Sequence, residues 1–212
     1  MRILSLKIGK RKGSRVEIEF DDGPSLSLDA ELVLRFHLKR GTELDPAGRE
    51  RIEREQAKLE ARQRLVRHLA LRRKSEQEAR DYLGRLGFDD EAVEQAVAAA
   101  RELGMLDDAL YAEAYRRTQE RSARKGHRAI RHELLMRGVD KSVADAALEP
   151  SSAPDAQRNL AREAARRRAT SLAKEEPAKA RQKLFAFLMR KGFDGDVAGQ
   201  VTRELLGDVE NG

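Results

Sequence analysis

An internal repeat centred on glycine restricts the fold of this chain more than any other feature. Leu83-Gly84-Arg85-Leu86-Gly87-Phe88-Asp89, Leu134-Leu135-Met136-Arg137-Gly138-Val139-Asp140 and Leu188-Met189-Arg190-Lys191-Gly192-Phe193-Asp194 share one pattern, and Gly87, Gly138 and Gly192 stand 51 and 54 residues apart. Eight positions before each glycine sits an apolar residue (Ala79, Ile130, Leu184), four before sits leucine, and nine after sits Ala96, Ala147 or Val201. Those offsets are helical. They predict a helix closed by glycine, an apolar residue folded back behind it, and an aspartate that N-caps the next helix and stabilises its start by about 1 kcal/mol. A further, more basic helix precedes each hairpin, at about 46–72, 107–124 and 154–173. Three helices therefore make one unit, and a unit recurring about every 50 residues describes a solenoid-like, elongated and gently curved array.

The first fifth of the chain follows another period. Leu4, Leu6 and Ile8, then Val16, Ile18 and Phe20, then Leu26 and Leu28 alternate with polar residues, which predicts a three-stranded antiparallel meander broken at Gly9–Ser14 and at Asp21–Pro24. Asp29 is placed to cap a short helix running to about Lys39 and ending at Gly41. Gly9-Lys10-Arg11-Lys12-Gly13-Ser14 has the wrong spacing for a phosphate-binding loop and is followed by a strand, so it is read as a basic hairpin turn. The fold class is thus mainly α, three tandem three-helix repeats preceded by a small β-meander with a short helix. The expected divisions are 1–44, 45–105, 106–150 and 151–206, with a frayed tail at 207–212.

Composition narrows function by exclusion. The 212 residues contain no cysteine, which removes disulfides, thiolate metal sites and cysteine nucleophiles, and 38% are charged. No stretch reaches the roughly 18 apolar residues of a membrane span, and Lys7 interrupts the opening hydrophobic run, so a cytoplasmic protein without membrane contact is expected. The net charge of +6 is unevenly placed: +6 over residues 49–74, −8 over 75–115, +6 over 116–137 and +5 over 158–174. Each basic block falls on the first helix of a unit or follows it.

Individual residues offer little chemistry. Asp107 is expected to N-cap the second unit, with Leu106 and Tyr111 as a hydrophobic staple and Asp108 complementing the helix dipole; Tyr115 shares the face of Tyr111. Two acids and two tyrosines could serve proton transfer, but adjacent acids at a helix start are an ordinary cap. His127 and His132 lie five apart, on different sides of a helix, so no metal site is indicated, and no hydrolase, zinc or dinucleotide motif occurs. The chain reads as a non-enzyme without cofactor. The functional signal is basic: Arg121, Arg124, Lys125, Arg128 and Arg131 recur every three to four residues around Gly126, joined by Arg72, Arg73, Lys74, Arg166 and Arg167. They form either a partner-binding strip or a solvated face.

The motifs Arg73-Lys74-Ser75-Glu76-x-Glu78-Ala79-x-x-Tyr82-Leu83-x-x-x-Gly87-Phe88, Leu103-Gly104-Met105-Leu106-Asp107-Asp108-x-x-Tyr111-Ala112-x-x-Tyr115 and Lys125-Gly126-x-x-x-Ile130-x-x-Glu133-Leu134-x-x-x-Gly138-Val139 closely resemble the RecX family of recombination regulators. The resemblance runs from Met1 to about Leu206, with His127 standing where the family usually has proline. It implies a monomeric regulator of DNA repair and the SOS response that lodges in the groove of the RecA filament on single-stranded DNA. There it would limit filament growth, ATP hydrolysis, strand exchange and co-protease function. Direct binding of single- or double-stranded DNA through the basic strips, and a helical adaptor for another protein, are the alternatives. The hairpin 75–103 has helix-turn-helix length, but its second helix carries Glu91 and Glu94 with only Arg101 as a base, which suits the major groove poorly.

Overall fold

The alternating segment forms the expected meander, with one irregularity that decides which side chains face inward. In a computed structural model of the chain, which describes residues 1–8 and 15–207, strands β1 (Ile3–Ile8), β2 (Arg15–Phe20) and β3 (Leu26–Asp29) pair antiparallel in the order β1-β2-β3. The register shifts between Ile3 and Ser5, a β-bulge that puts Ile3 opposite Phe20 and turns Leu4 outward. Leu4 therefore does not belong to the inner face on which the alternation places it. Ile3, Val16, Ile18, Phe20 and Leu28 bury that face against Leu38 and Ile52. The expected basic turn at Gly9–Ser14 and the tail beyond Gly207 lie outside the described residues.

Asp29 caps α1 (Ala30–Arg35) as expected, accepting the Glu31 amide at 3.1 Å. The helix ends at Arg35, earlier than the sequence predicts, because the chain turns through His37 at φ 51° and brings Leu38 back into the core, its amide donating to the Val33 carbonyl. Helix α2 (Pro46–Leu69) starts at Asp45, which caps the Gly48 amide, with proline in the first turn. Gln56 of α2 is buried and accepts the Asp29 amide at 2.7 Å, tying the sheet to the helix. The second half of α2 packs on α4 (Asp90–Glu102) across Ala61, Leu65, Ala92, Ala96 and Ala100, where small side chains allow close approach. These elements make the first compact unit, residues 1–72 and 79–105.

The second unit takes residues 73–78 and 106–212. The first turn of α3 (Glu76–Arg85) belongs to it, followed by α5 (Asp108–Thr118), a π-helical segment Gln119–Ala123, α6 (His127–Met136) and α7 (Lys141–Leu148). A 3₁₀ turn (Glu149–Ser151) leads into α8 (Pro154–Leu172), α9 (Pro177–Arg190) and α10 (Gly195–Leu206). The repeat positions behave alike: Ala79, Ile130 and Leu184 are buried, as are Leu83, Leu134 and Leu188. Of the outer positions, Ala96 and Val201 are buried and Ala147 only partly so. Asp89 and Asp140 cap α4 and α7 through their side chains, whereas Asp194 occupies the cap position of α10 without a side-chain bond and lies 3.9 Å from Arg128 instead.

The three turn glycines all adopt the left-handed conformation, φ 85°, 75° and 87° at Gly87, Gly138 and Gly192. Two of them carry a second constraint. A Cβ on Gly138 would collide with the side chain of Gln77, and one on Gly192 with Ala129, because in each case the start of another helix sits on the turn. Ser75 Oγ donates to the Arg137 carbonyl at 2.7 Å; the Gly126 amide donates to the Lys191 carbonyl at 2.8 Å and the Arg128 amide to the Gly192 carbonyl at 3.1 Å. Ser75 and Gly126 each stand twelve residues before a turn glycine, and both are buried. Gly126 is glycine because a Cβ there would meet the Gly192 carbonyl. Gly87, by contrast, faces open space. Gly87→Ala should therefore cost only the left-handed penalty of about 1–2 kcal/mol. Gly192→Ala should add overpacking of about 1–3 kcal/mol, an ordering that urea denaturation of the two variants will check.

Candidate functional site

The start of α3 is built as a reciprocal cap. Ser75 Oγ accepts the Glu78 amide at 3.1 Å and Glu78 Oε2 accepts the Ser75 amide at 3.2 Å. Asp108 accepts the Glu76 amide at 2.9 Å, so this residue serves α3 as well as the dipole of its own helix. Asp107 caps α5 through the Leu110 amide, and Leu106 and Tyr111 are both buried at the staple positions.

Glu78 has its other oxygen free for charge. Oε1 accepts from Arg137 at 3.0 Å and lies 3.7 Å from the Lys74 ammonium. The Arg137 guanidinium sits 4.9 Å over the ring of Tyr115, whose hydroxyl donates to Glu133 at 2.8 Å, and Lys125 donates to the same carboxylate at 2.5 Å. Lys74, Glu78, Arg137, Tyr115, Glu133 and Lys125 thus form one alternating chain, with Tyr111 stacked on Tyr115 at 6.0 Å. Burial, and then the negative charge of Glu78, push the Tyr111 hydroxyl far above its usual range. Burial and the bond to Glu133 raise Tyr115 likewise. Burial opposes the charge on Glu133, yet hydrogen bonds from Lys125 and Tyr115 outweigh it and hold that carboxyl below its ordinary value. Both tyrosines stay protonated near neutrality and act as hydrogen-bond donors in this network, not as bases.

The ten basic residues singled out in the sequence separate into groups. Arg124, Arg166 and Arg167 line one open concavity with Ser122, Glu163 and Lys191. Arg124 adopts a left-handed conformation (φ 47°) at the end of the π-helical segment and lies 3.7 Å from Glu163, while Lys191 donates to the Ala123 carbonyl at 2.8 Å. Arg166 and Arg167 are exposed and have no carboxylate partner among the described residues. Arg121 is exposed on the π-helical segment, three residues before Arg124. Lys74 and Lys125 belong to the network above, Arg131 grips Asp145 at 2.5 and 3.3 Å, and Arg128 lies near Asp194. Arg72 and Arg73 are exposed, Arg72 in the first unit and Arg73 in the second. Lys191, Arg137, Glu78 and Glu133 are missing from that set. Arg137 and Lys191 each directly precede a turn glycine, a basic position the repeat alignment already displays.

His127 closes a second polar cluster. Its Nε2 lies 2.9 Å from Ser151 Oγ and 3.4 Å from Glu120, which also accepts from Ser151 at 2.5 Å and from the buried Arg116 at 2.7 Å. The serine hydroxyl is directed at the carboxylate, so the cluster ties the π-helical segment, the first turn of α6 and the 149–151 turn together. Burial pushes the His127 pKa down, with Arg116 adding to the effect and Glu120 opposing it. Among the described residues no group of three acids and histidines is placed to hold a metal ion, and no helix is long and apolar enough to cross a membrane.

A mainly helical chain of three-helix domains, with a small N-terminal sheet and helix starts seated on the glycine turns that follow, defines a helical-repeat protein, and the comparisons with known proteins make its family specific. Family models for the first, second and third three-helix domains of RecX match residues 61–98, 107–148 and 155–202. Together they span more than half of the sequence. The chain belongs to the RecX family. It is 28% identical to the regulatory protein RecX of Clostridium perfringens (strain 13 / Type A) over 96% of each chain. A crystal structure of regulatory protein RecX superimposes with a TM-score of 0.76 at 27% identity, covering 94% of this chain and 98% of that one. RecX from Lactobacillus salivarius superimposes at 0.65, covering 70% and 96%; at 22% identity that likeness is one of fold.

Two outcomes follow from these clusters. Glu78→Ala removes a cap and leaves Arg137 without its carboxylate, so it should destabilise by about 2 kcal/mol, measured by urea unfolding. Because folding lowers the His127 pKa, the unfolded chain binds more protons once the pH falls below about 6.5. The contribution from His127 should be complete above that value and lost below it, as the pH falls through the lower pKa of the folded state, and His127→Gln should flatten this part of the stability profile.

Proposed function

We propose that this protein regulates the RecA recombinase, chiefly as an inhibitor, by binding in the groove of the RecA filament on single-stranded DNA. It limits filament growth, ATP hydrolysis, strand exchange and co-protease function. It does so as a cytoplasmic monomer that acts by binding and not by catalysis, with no cofactor. Its relatives carry the name of regulatory proteins, and the sequence motifs point to the recombinase as the target.

The observation that carries this reading is the concavity lined by Arg124, Arg166, Arg167 and Lys191 against the single acid Glu163. Four bases around one acid fit an acidic protein surface or the phosphates inside a nucleoprotein filament. Arg72, Arg73, Lys74, Arg121, Lys125, Arg128 and Arg131 serve as flanking contacts. Lys74 and Lys125 do so from fixed positions, since Glu78 and Glu133 hold them.

The test is the DNA-dependent ATPase of RecA filaments. Wild-type protein should inhibit it, and the inhibition should weaken as salt is raised, since exposed charges are screened over about 8 Å at physiological ionic strength. Arg124→Glu combined with Arg166→Glu and Arg167→Glu should abolish inhibition while helicity is retained. Intact inhibition by that variant would remove the concavity from the contact. Rescue by excess DNA would point instead to simple competition for the nucleic acid.

A further inference from the structure

The first and second repeats contain the same groove at matching distances from their turn glycines, and only in the first does another helix of the chain wall it. In the first, Leu59 of α2 lies twenty-eight residues before Gly87, and Gln95, Ala96 and Ala99 of α4 lie eight, nine and twelve after it. These side chains share a concavity with Glu31, Leu32 and Arg35 of α1. Leu32 is 1% exposed, and Arg35 is paired with Glu55 of α2 at 3.1 Å. The chain's own short helix therefore walls one side of this groove with a buried leucine.

In the second repeat the residues at the same offsets from Gly138 are Leu110 of α5, then Ala146, Ala147 and Pro150. They line an open, mainly aliphatic groove of about 430 Å³ with Ala109 and Val143. Leu110 is left 48% exposed and Ala146 is exposed as well. The third repeat does not continue the pattern: Ala164 replaces the leucine, and Glu204, held by Arg162 at 2.7 Å, replaces the proline.

The rim charge distinguishes the two grooves. Arg62, twenty-five residues before Gly87, lines the first groove together with Glu31 of the seated helix. The same offset from Gly138 gives Glu113, and Lys58 of the first groove is matched by Ala109. Arg117 holds Glu113 on one side at 2.5 Å and leaves its side chain 39% exposed. The groove of the second repeat thus keeps the aliphatic floor of the first and carries an acid, Glu113, at the position of the base Arg62.

We propose that the α5/α7 groove of the second repeat receives a short amphipathic helix of the partner protein. A leucine-sized aliphatic side chain sits over Leu110 and Ala147, as Leu32 does in the first repeat, and a neighbouring lysine or arginine faces Glu113, where α1 presents Glu31. The proposal rests on the regulatory reading above, with the filament protein as the partner that supplies the helix.

Leu110→Asp and, separately, Ala146→Arg change exposed positions, so both variants should keep the wild-type circular dichroism and thermal midpoint. In the RecA filament ATPase assay either should raise the half-inhibitory concentration at least about tenfold, at low and at moderate salt alike. Glu113→Lys should raise it about threefold. If wild-type protein inhibits and both apolar-groove variants inhibit equally well, the groove proposal is overturned while the regulatory reading stands. If wild-type protein leaves the filaments unaffected, the regulatory reading fails. The groove itself is then judged with a labelled peptide of residues 27–39 carrying Glu31→Lys: saturable binding lost in Leu110→Asp supports it, and absence of binding overturns it.

Discussion

The contact on which the rest depends joins the start of one helix to the glycine turn at the end of another. A helix begins with amide groups that have no partner within it and ends with carbonyls in the same condition. Here the Gly126 and Arg128 amides take the carbonyls of Lys191 and Gly192, and the Ser75 hydroxyl takes that of Arg137. Each joint satisfies polar backbone at both ends. It also demands glycine at the point of contact, since a Cβ on Gly126, Gly138 or Gly192 would overlap its neighbour. The left-handed turn and the seated helix start are one device, repeated, with Gly87 the turn that receives none.

The charged groups of interest are held close to these joints. Glu78, three residues on, closes the capping box that Ser75 opens, and its second oxygen anchors Arg137, which immediately precedes Gly138. Lys191 immediately precedes Gly192, and its ammonium satisfies the Ala123 carbonyl while it lines the basic concavity. Partly buried charges on tyrosine-backed scaffolds lose less entropy on binding than free surface arginines, so the joints fix the geometry of the bases near them. Arg166 and Arg167 differ from them. They are exposed on α8 and have no carboxylate partner among the described residues, so a partner would meet them without the loss of an existing ion pair there.

The helical body was legible because its signals are local. Leucine four before glycine, an apolar residue eight before, and aspartate two after recur three times, and each offset reflects a contact within one hairpin. Asp29, Asp89, Asp107 and Asp140 were legible as caps for the same reason. The departures have non-local causes. Leu4 alternates correctly with Leu6, but a bulge set by pairing with β2 turns it outward. The α1 helix stops early because Leu38 has a place in a core shared with β2 and α2. Asp194 lacks the side-chain cap bond and stands near Arg128, a residue sixty-six positions away in the chain.

The candidate site divides along the same line. By itself the sequence determined which residues are charged, that they recur with the repeat, and which helix carries each, because periodicity and capping chemistry act over one or two turns. Only the tertiary structure decided which charges cancel. Lys125, a strip residue by spacing, and Lys74, which joins the strip from the first unit of the repeat, are held by Glu133 and Glu78, and Arg131 by Asp145, whereas Arg124, Arg166 and Arg167 converge with Lys191 on one concavity. It likewise decided that one of two grooves with matching offsets is walled by α1 and the other is not. A period in the sequence sets where a side chain leaves its own helix. What it meets depends on elements packed from distant parts of the chain, and no local spacing encodes that.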